Sequence, residues 1–467
     1  MRESASFIES VTREARLWAI RELVRRAGVS REVLHSWRID FEEGWTSIHL
    51  GINKRLRFRN SSPDLPSDLL PRLQRIARGS WTHDPGDRVR KRVPDFVIPF
   101  QDEGKNSPAP IFRHPTDDCV EFDWDLPLAT LFTLSRMEES LVPDRDEHGR
   151  FPASSSVAFR NGFLGRPIVD EYGLALEQAI RCLLPNSQAA NRSLRVKLSH
   201  DIDLVGVPFR LREALGHTLR RRRPAATACD LMAAFTNRCP TFLALVQDIA
   251  SMSLERGLDS AVYWMGSPPG LIDSGYDPRH PKIRKVVSWL AEREVECGVH
   301  PGYETFRSRE RLLSEIELLR SVLGKGKLGG RQHYLRWSPE TWLDWEACGL
   351  AYDSSVGFAE WIGFRAGTCY PYRPWIFAEN REAKLLEIPL IVMDCTLTRY
   401  MGLTWEESLE AMKECIETCR IAGGVFTLLW HNASLIDPIY GDMYQETLDQ
   451  LTGTARFDWE AALKEPQ

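Results

Sequence analysis

A chain of 467 residues, 43% hydrophobic and 27% charged, has the composition of a soluble globular protein and exceeds what one ordinary core supports, so two domains are expected. Its formal net charge of -5 offers no global attraction to nucleic acid or to an anionic membrane. No apolar run approaches the ~18 residues of a membrane span, and Met1 to Phe7 lack the basic region and apolar stretch of a secretory signal; a cytoplasmic protein with no integral membrane segment is expected. The ten cysteines include no C-x-x-C pair and read as reduced core residues, with Cys415 and Cys419 on one helix face. The fifteen tryptophans are read first as core.

In chain order, the first helix is expected around Leu17, Ile20, Leu23 and Val24, whose spacing makes one apolar face. Ser61 to Pro66 and Gln101 to Asn106 are polar, turn-rich loops. Leu126 to Ser140 is expected to be helical and is followed by the charged turn Pro143 to Arg150. The region before about residue 190 reads as a smaller mixed α/β unit. His83, His114 and His148 lie there without the spacing of an active site and are treated as ordinary histidines.

From residue 194 the pattern becomes strands alternating with helices. Leu194, Val196 and Leu198 alternate with Arg195 and Lys197, the period of a strand with two faces. Further strands are expected at 261–264, 295–299, 328–331, 350–352, 385–392 and 425–430. Between them, Ile283, Val286, Val287 and Leu290 form one helical stripe, and Leu312, Leu313, Ile316 and Leu319 another. Ser338-Pro339 fits a helix N-cap, Thr404 with Glu407 fits a capping box, and Gly423-Gly424 ends that helix. The run Arg220 to Arg223 is read as a solvated helix end in preference to an anion site, and no nucleic-acid partner is expected.

Repeated strand-helix units imply a parallel sheet, open or closed, whose chemistry gathers beyond the carboxyl ends of the strands. The conspicuous polar residues follow strands in this way: Asp201 and Asp203, His300, Arg331 and His333, Asp353, and His431-Asn432. In His200-Asp201-Ile202-Asp203 the two carboxylates share a strand face, which a cation or a shared proton would relieve. A solvated turn is the commoner fate of a lone D-x-D. The set as a whole suits metal-assisted hydrolysis. Asp203 and His300 are candidate ligands for zinc or a similar divalent ion, with His333 as the third. Asp201 is the candidate base, Arg331 the group that orients it, and His431 the acid for a departing amine.

These residues resemble the polysaccharide deacetylases of carbohydrate esterase family four, the NodB-homology domain, over roughly 195 to 440. Ser199-His200-Asp201-Ile202-Asp203 resembles the first motif and Gly298 to Glu304 the second. Arg331-Gln332-His333-Tyr334 resembles the arginine-containing strand end, and Leu428 to Asn432 the strand ending in the acid histidine. The resemblance implies Asp201 as base and Asp203 as metal ligand. Glu304 stands where a second metal histidine would be expected, so either Glu304 or His333 completes the set, and His333 is favoured. The segment from Arg145 to Asp170 also resembles an N-terminal extension found on a bacterial subgroup of these proteins.

The implied architecture is an α/β fold with a distorted parallel (β/α) barrel over 191–445, a smaller α/β accessory domain over 1–190, and a C-terminal tail over 446–467. The implied reaction is metal-dependent removal of an acetyl group, N-acetyl before O-acetyl, from a sugar or oligosaccharide. Two alternatives remain open at this point: a hydrolase of non-sugar amides on the same scaffold, and a non-catalytic carbohydrate-binding or scaffold protein. Trp337, Trp342, Tyr352, Trp361 and Tyr370 are weighed as a sugar groove against the default of core packing.

Overall fold

A computed structural model of the protein describes residues 11–51, 53–60, 76–99, 109–187, 192–206 and 241–464. The loops expected at 61–66 and 101–106 and the run Arg220 to Arg223 lie outside the described residues.

Helix α1 (Arg13–Arg26) begins at Thr12, whose hydroxyl accepts from the Ala15 amide, and it buries Trp18, Ile20, Leu23 and Val24. Strands β1 (Arg38–Glu42), β2 (Trp45–His49), β3 (Arg55–Arg59), β4 (Ile76–Ser80), β5 (Phe96–Pro99), β6 (Ala109–Pro110), β7 (Arg113–Thr116) and β8 (Cys119–Phe122) follow. They form a sheet ordered β1-β2-β3-β8-β7 and a second ordered β5-β4-β6. The helix expected over 126–140 is two pieces, α2 (Leu126–Leu134) and α3 (Met137–Leu141). Ser135 bonds back to the Leu131 carbonyl and Arg136 turns left-handed, at φ 54°, which ends the first helix. Helix α4 (Ile168–Leu183) completes this part.

The remainder alternates: β9 (Arg195–Ile202), α5 (Phe242–Leu254), β10 (Ser260–Trp264), α6 (Pro281–Ala291), β11 (Glu296–Val299), α7 (Arg309–Leu323), α8 (Pro339–Ala347), β12 (Tyr352–Asp353), β13 (Leu386–Glu387), β14 (Val392–Met393), α9 (Trp405–Ala422), β15 (Val425–Leu429), α10 (Pro438–Leu451) and β16 (Ala455–Arg456). Parallel pairing gives the order β11-β10-β9-β15-β14, with β16 added beside β9 and β12 paired separately with β13. Strand β9 is central and buried from Val196 to Ile202, as expected of a parallel strand covered on both faces. The fold is mixed α/β, and its named ladders do not join into a closed ring.

Two expected strands change form. At 328–331 only Gly330 pairs, through single parallel bridges to Val299 and Asp353. A Cβ at Gly330 would fall 1.8 Å from the Val299 carbonyl oxygen, so the close approach requires glycine there. The strand expected over 385–392 is split into β13 and β14, with Pro389, which has no N–H to donate, between them. Other expectations hold locally. Thr404 and Glu407 exchange hydrogen bonds as a capping box, and Gly423 closes α9 in the left-handed region. Ile283, Val286, Val287 and Leu290 are buried, whereas Leu313 of the second stripe is exposed and Glu315 is buried in α7.

The early residues are tied into the rest by polar and apolar contacts. Arg26 Nε lies 2.8 Å from Asp170 Oδ1, its Nη2 donates to Thr368, and Trp18 Nε1 donates to the Arg373 carbonyl. A single apolar cluster runs from Ala15 and Trp18 through Trp264 and Val299 to Leu385. Among the described residues, no helix is long and apolar enough to cross a membrane.

Candidate metal centre

The carboxyl ends of neighbouring parallel strands deliver the polar residues to one mouth of the sheet. Strand β9 brings Asp201 and, just beyond its end, Asp203. His300 follows β11, its amide bonded to the Trp264 carbonyl at 2.8 Å. Arg331 and His333 follow the Gly330 bridge, and His431 lies just beyond β15. His200, just before the two acidic residues, faces away: its Nδ1 meets the Trp430 carbonyl at 2.8 Å, and burial pulls its pKa down to about 4, so it stays neutral. Tyr334 and Leu335, next to His333, are both left-handed (φ 60° and 52°), a conformation that costs about 1–2 kcal/mol per non-glycine residue.

The ring nitrogens of the two central histidines can be assigned from their partners. His300 Nδ1 faces the Arg331 carbonyl at 2.7 Å. A carbonyl only accepts, so Nδ1 carries the proton and Nε2 presents its lone pair. That lone pair points at Asp203 Oδ1, 3.1 Å away. Both atoms are buried and have no hydrogen-bond partner. His333 repeats the pattern, with Nδ1 2.6 Å from Asp273 Oδ1 and Nε2 3.7 Å from Asp203 Oδ1. Two imidazole lone pairs and a carboxylate therefore converge, and the ligand atoms of Asp203, His300 and His333 lie within 4.8 Å of one another. Acceptors gathered in a buried place call for a cation or a proton between them. The donor set suits zinc or a related ion, and each histidine already has an outer partner fixing its ring. The acidities reflect the same field. Burial pushes Asp203 up, but His333, His300 and His431 outweigh it and hold the carboxyl well below the usual range. Burial pulls His300 down, but Asp201 and Asp203 outweigh it and raise its pKa.

Beside this cluster, Asp201 Oδ1 receives Arg331 Nη1 at 2.9 Å, and Asp201 Oδ2 lies 3.6 Å from His300 Nδ1. Arg331 is fully buried and is held by the carbonyl and the hydroxyl of Ser354. Across the cluster, His431 Nε2 lies 3.8 Å from Asp203 Oδ2, while its Nδ1 bonds Asp394 Oδ1 at 2.7 Å. Asp394 Oδ2 also accepts from the His431 amide and the Ser434 hydroxyl. Burial pulls His431 down, but Asp394 and Cys395 raise its pKa well above the ordinary histidine value.

These groups open into a cleft of about 240 Å³ that is also lined by Arg150, Tyr334, Met393, Arg399 and Tyr400. All six residues singled out from sequence for catalysis and metal binding thus come together. Glu304 does not join them. Its side chain is 70% exposed and pairs with Arg311. Asp353 accepts from Ser355 and is pushed up to about 7 by burial, and Asn432 ties Leu204 to Phe242. Of the aromatics weighed as a groove, Trp337, Trp342 and Tyr352 are core. Tyr334 and Tyr400 face the cleft instead. Sequence reasoning did not single out Asp273, Asp394 or the role of Arg150. Asp394 directly follows the β14 strand, so the strand-end rule would have found it. Asp273 sits in an irregular loop with no periodic signal. His148, treated as ordinary, reaches Tyr303 at 3.1 Å, close to Tyr334.

Residues 74–185 match the model of a family of unknown function, DUF7033. No curated protein matches the chain. Among solved structures, the chain is similar to a candidate polysaccharide deacetylase from Mycobacterium smegmatis at 16% identity and TM-score 0.40, covering 60% of this chain and 91% of that one. It is also similar to a candidate polysaccharide deacetylase involved in O-antigen biosynthesis from Bordetella bronchiseptica (14% identity, TM-score 0.27, 58% of this chain and 88% of that one). A third, a candidate polysaccharide deacetylase from Pseudomonas aeruginosa PAO1, has 17% identity and TM-score 0.35, covering 47% of this chain and 71% of that one.

Proposed function

We propose that the protein is a metal-dependent hydrolase that removes an acetyl group, in the first instance an N-acetyl group, from a sugar or oligosaccharide. The observation that carries this reading is the aim of two buried imidazole lone pairs at Asp203, flanked by an arginine-held carboxylate and an aspartate-held histidine. Asp203, His300 and His333 are the proposed ligands of zinc or a similar divalent ion. When bound, that ion supplies Lewis-acid polarisation of the acyl carbonyl and neutralises developing negative charge.

The chain's own groups do the rest. Asp201 is the base that takes the proton of the attacking water. Arg331 occupies its Oδ1, while Oδ2 lies 3.6 Å from His300 Nδ1 and Asp201 lines the cleft. His431, whose pKa Asp394 and Cys395 raise against the effect of burial, donates its proton to the departing amine nitrogen. Tyr334 and Tyr400 offer faces for stacking on a sugar ring, and Arg150 and Arg399 offer donors for its hydroxyls. The motif resemblance supplies the substrate class.

The proposed organisation is an accessory part over 1–190, a catalytic part over 191–445 and a tail over 446–467. The proposed layout of the catalytic part is a distorted barrel. Its support is that residues 386–393 pair with β12 at one end and β15 at the other, and that Gly330 bridges β11 to β12.

The test is acetate release from N-acetylated amino sugars and their oligomers by zinc-loaded protein, with and without chelator. Release abolished by chelator and restored by metal supports the reading. Sugar binding without release, or turnover of cyclic amides alone, overturns it.

A further inference from the structure

The accessory part holds a second convergence of metal-ligating atoms that the reaction above does not use. His83 leaves the segment after β4, His114 lies on β7, and Cys182 is in the last turn of α4. Their ligand atoms lie within 4.8 Å of one another. The two imidazole rings are tilted by 50° with their Nε2 atoms turned to each other at 3.4 Å. Two nitrogens each about 2.0–2.1 Å from a tetrahedral zinc stand roughly 3.3–3.4 Å apart, so the pair already has the spacing that one cation would impose.

The three carriers are remote in sequence but are fastened to one another beside the ligands. Thr82 Oγ1 donates to the Phe112 carbonyl at 2.7 Å and accepts from the Phe112 amide at 3.3 Å, which joins the stretch before His83 to the stretch before His114. Gln178, one helical turn before Cys182, accepts from the His83 amide at 3.3 Å and donates to the His83 carbonyl at 3.2 Å. Side-chain bonds that hold the backbone of a ligand-bearing residue are the support a metal site needs to keep its geometry.

We propose that His83, His114 and Cys182 bind a single borderline divalent cation of the zinc class, clipping the β4 exit, β7 and α4 together. Two neutral imidazoles and a thiolate leave one net positive charge, and binding releases the thiol proton to solvent. Because His83 and His114 are exposed and Cys182 half-buried, the fourth position opens to water. The sulfur ligand distinguishes this site from the oxygen-and-imidazole set at Asp203. All three residues fall within the segment 74–185 that matches the family of unknown function.

The test is cobalt(II) titration of full-length protein, read by metal stoichiometry and by the near-ultraviolet thiolate-to-cobalt charge-transfer band. Asp203→Ala protein is expected to bind one equivalent and keep the band. Cys182→Ser and His83→Ala proteins are each expected to lose the band and one equivalent, with melting curves confirming that they fold. Cys395→Ser is expected to retain the band, which separates this site from the cysteine beside His431. A band that survives Cys182→Ser, a band lost in Cys395→Ser, or Asp203→Ala protein that binds no cobalt, as a plain imidazole-imidazole hydrogen bond would give, overturns the proposal.

Discussion

At their amino ends, strands β9, β10 and β11 border a cavity of about 500 Å³ lined by Lys197, Asp259, Glu296 and Arg456, against about 240 Å³ for the cleft at their carboxyl ends. The larger space is rich in charge, yet these charges are answered. Lys197 pairs with Glu296, Glu296 accepts from the Tyr352 hydroxyl, and Arg456 meets Asp259 at 2.8 Å. At the carboxyl end a buried lone pair faces a buried carboxylate oxygen with no donor between them. Volume and charge density do not distinguish the two ends. Among the described residues, unpartnered buried carboxylate and imidazole atoms do: Asp203 Oδ1 and His300 Nε2 line the carboxyl-end cleft, whereas the unpartnered atom at the amino end is the Ser260 hydroxyl.

Substitutions at the two ends should behave oppositely, and the largest effect is expected at Asp203. Asp203→Ala should abolish metal retention in the Asp203 cluster and lower turnover by ~10³-fold or more, as read by metal analysis and acetate release. Full activity in this variant would erase the contrast between the ends. Asp201→Asn comes next. It should cost about 10²–10⁴-fold in kcat while metal content is unchanged, so loss of metal as well would make Asp201 a ligand and not a base.

Asp394→Asn should cost about 10–100-fold and also change the pH profile. Asp394 is the largest influence raising the pKa of His431 against burial. Removing it lets the acid form disappear at lower pH, so the alkaline limb of the kcat profile should move down. The same raised pKa means that the stabilisation from protonated His431 is complete below the ordinary histidine range and is lost as pH rises through the folded-state value. Thermal melts across that alkaline limb should fall in the parent and flatten in Asp394→Asn.

The smallest effect on turnover is expected at the other end. Lys197→Met leaves the half-buried Glu296 without its cation, so stability should drop by about 1–3 kcal/mol while kcat per folded molecule stays the same. A collapse of kcat with intact stability would show that the amino-end cavity takes part in the reaction.

Asp201, Asp203, His300, Arg331, His333 and His431 were legible in the sequence because each follows a run of strand-like residues, and parallel strands expose their carboxyl ends together. His333 lies beside Asp203 and His300, whereas Glu304 turns to solvent beside Arg311. Asp273 was not legible: it lies in a loop without periodicity, where it holds His333 and accepts from the Tyr303 amide. The break at Arg136 was also hidden, because the left-handed turn there serves a distant ion network in which Glu139 meets Arg365 at 2.6 Å. The approach of His83, His114 and Cys182 depends on the packing of two strand segments and a helix, and no local spacing encodes it.

X-ray absorption at the zinc edge of Cys182→Ser protein loaded with one equivalent of zinc tests the account most directly. Two imidazole nitrogens and a carboxylate oxygen around the metal, with the signal lost on further substitution of Asp203→Ala, are predicted. A zinc environment unaffected by Asp203→Ala, or protein that retains no zinc, would contradict it.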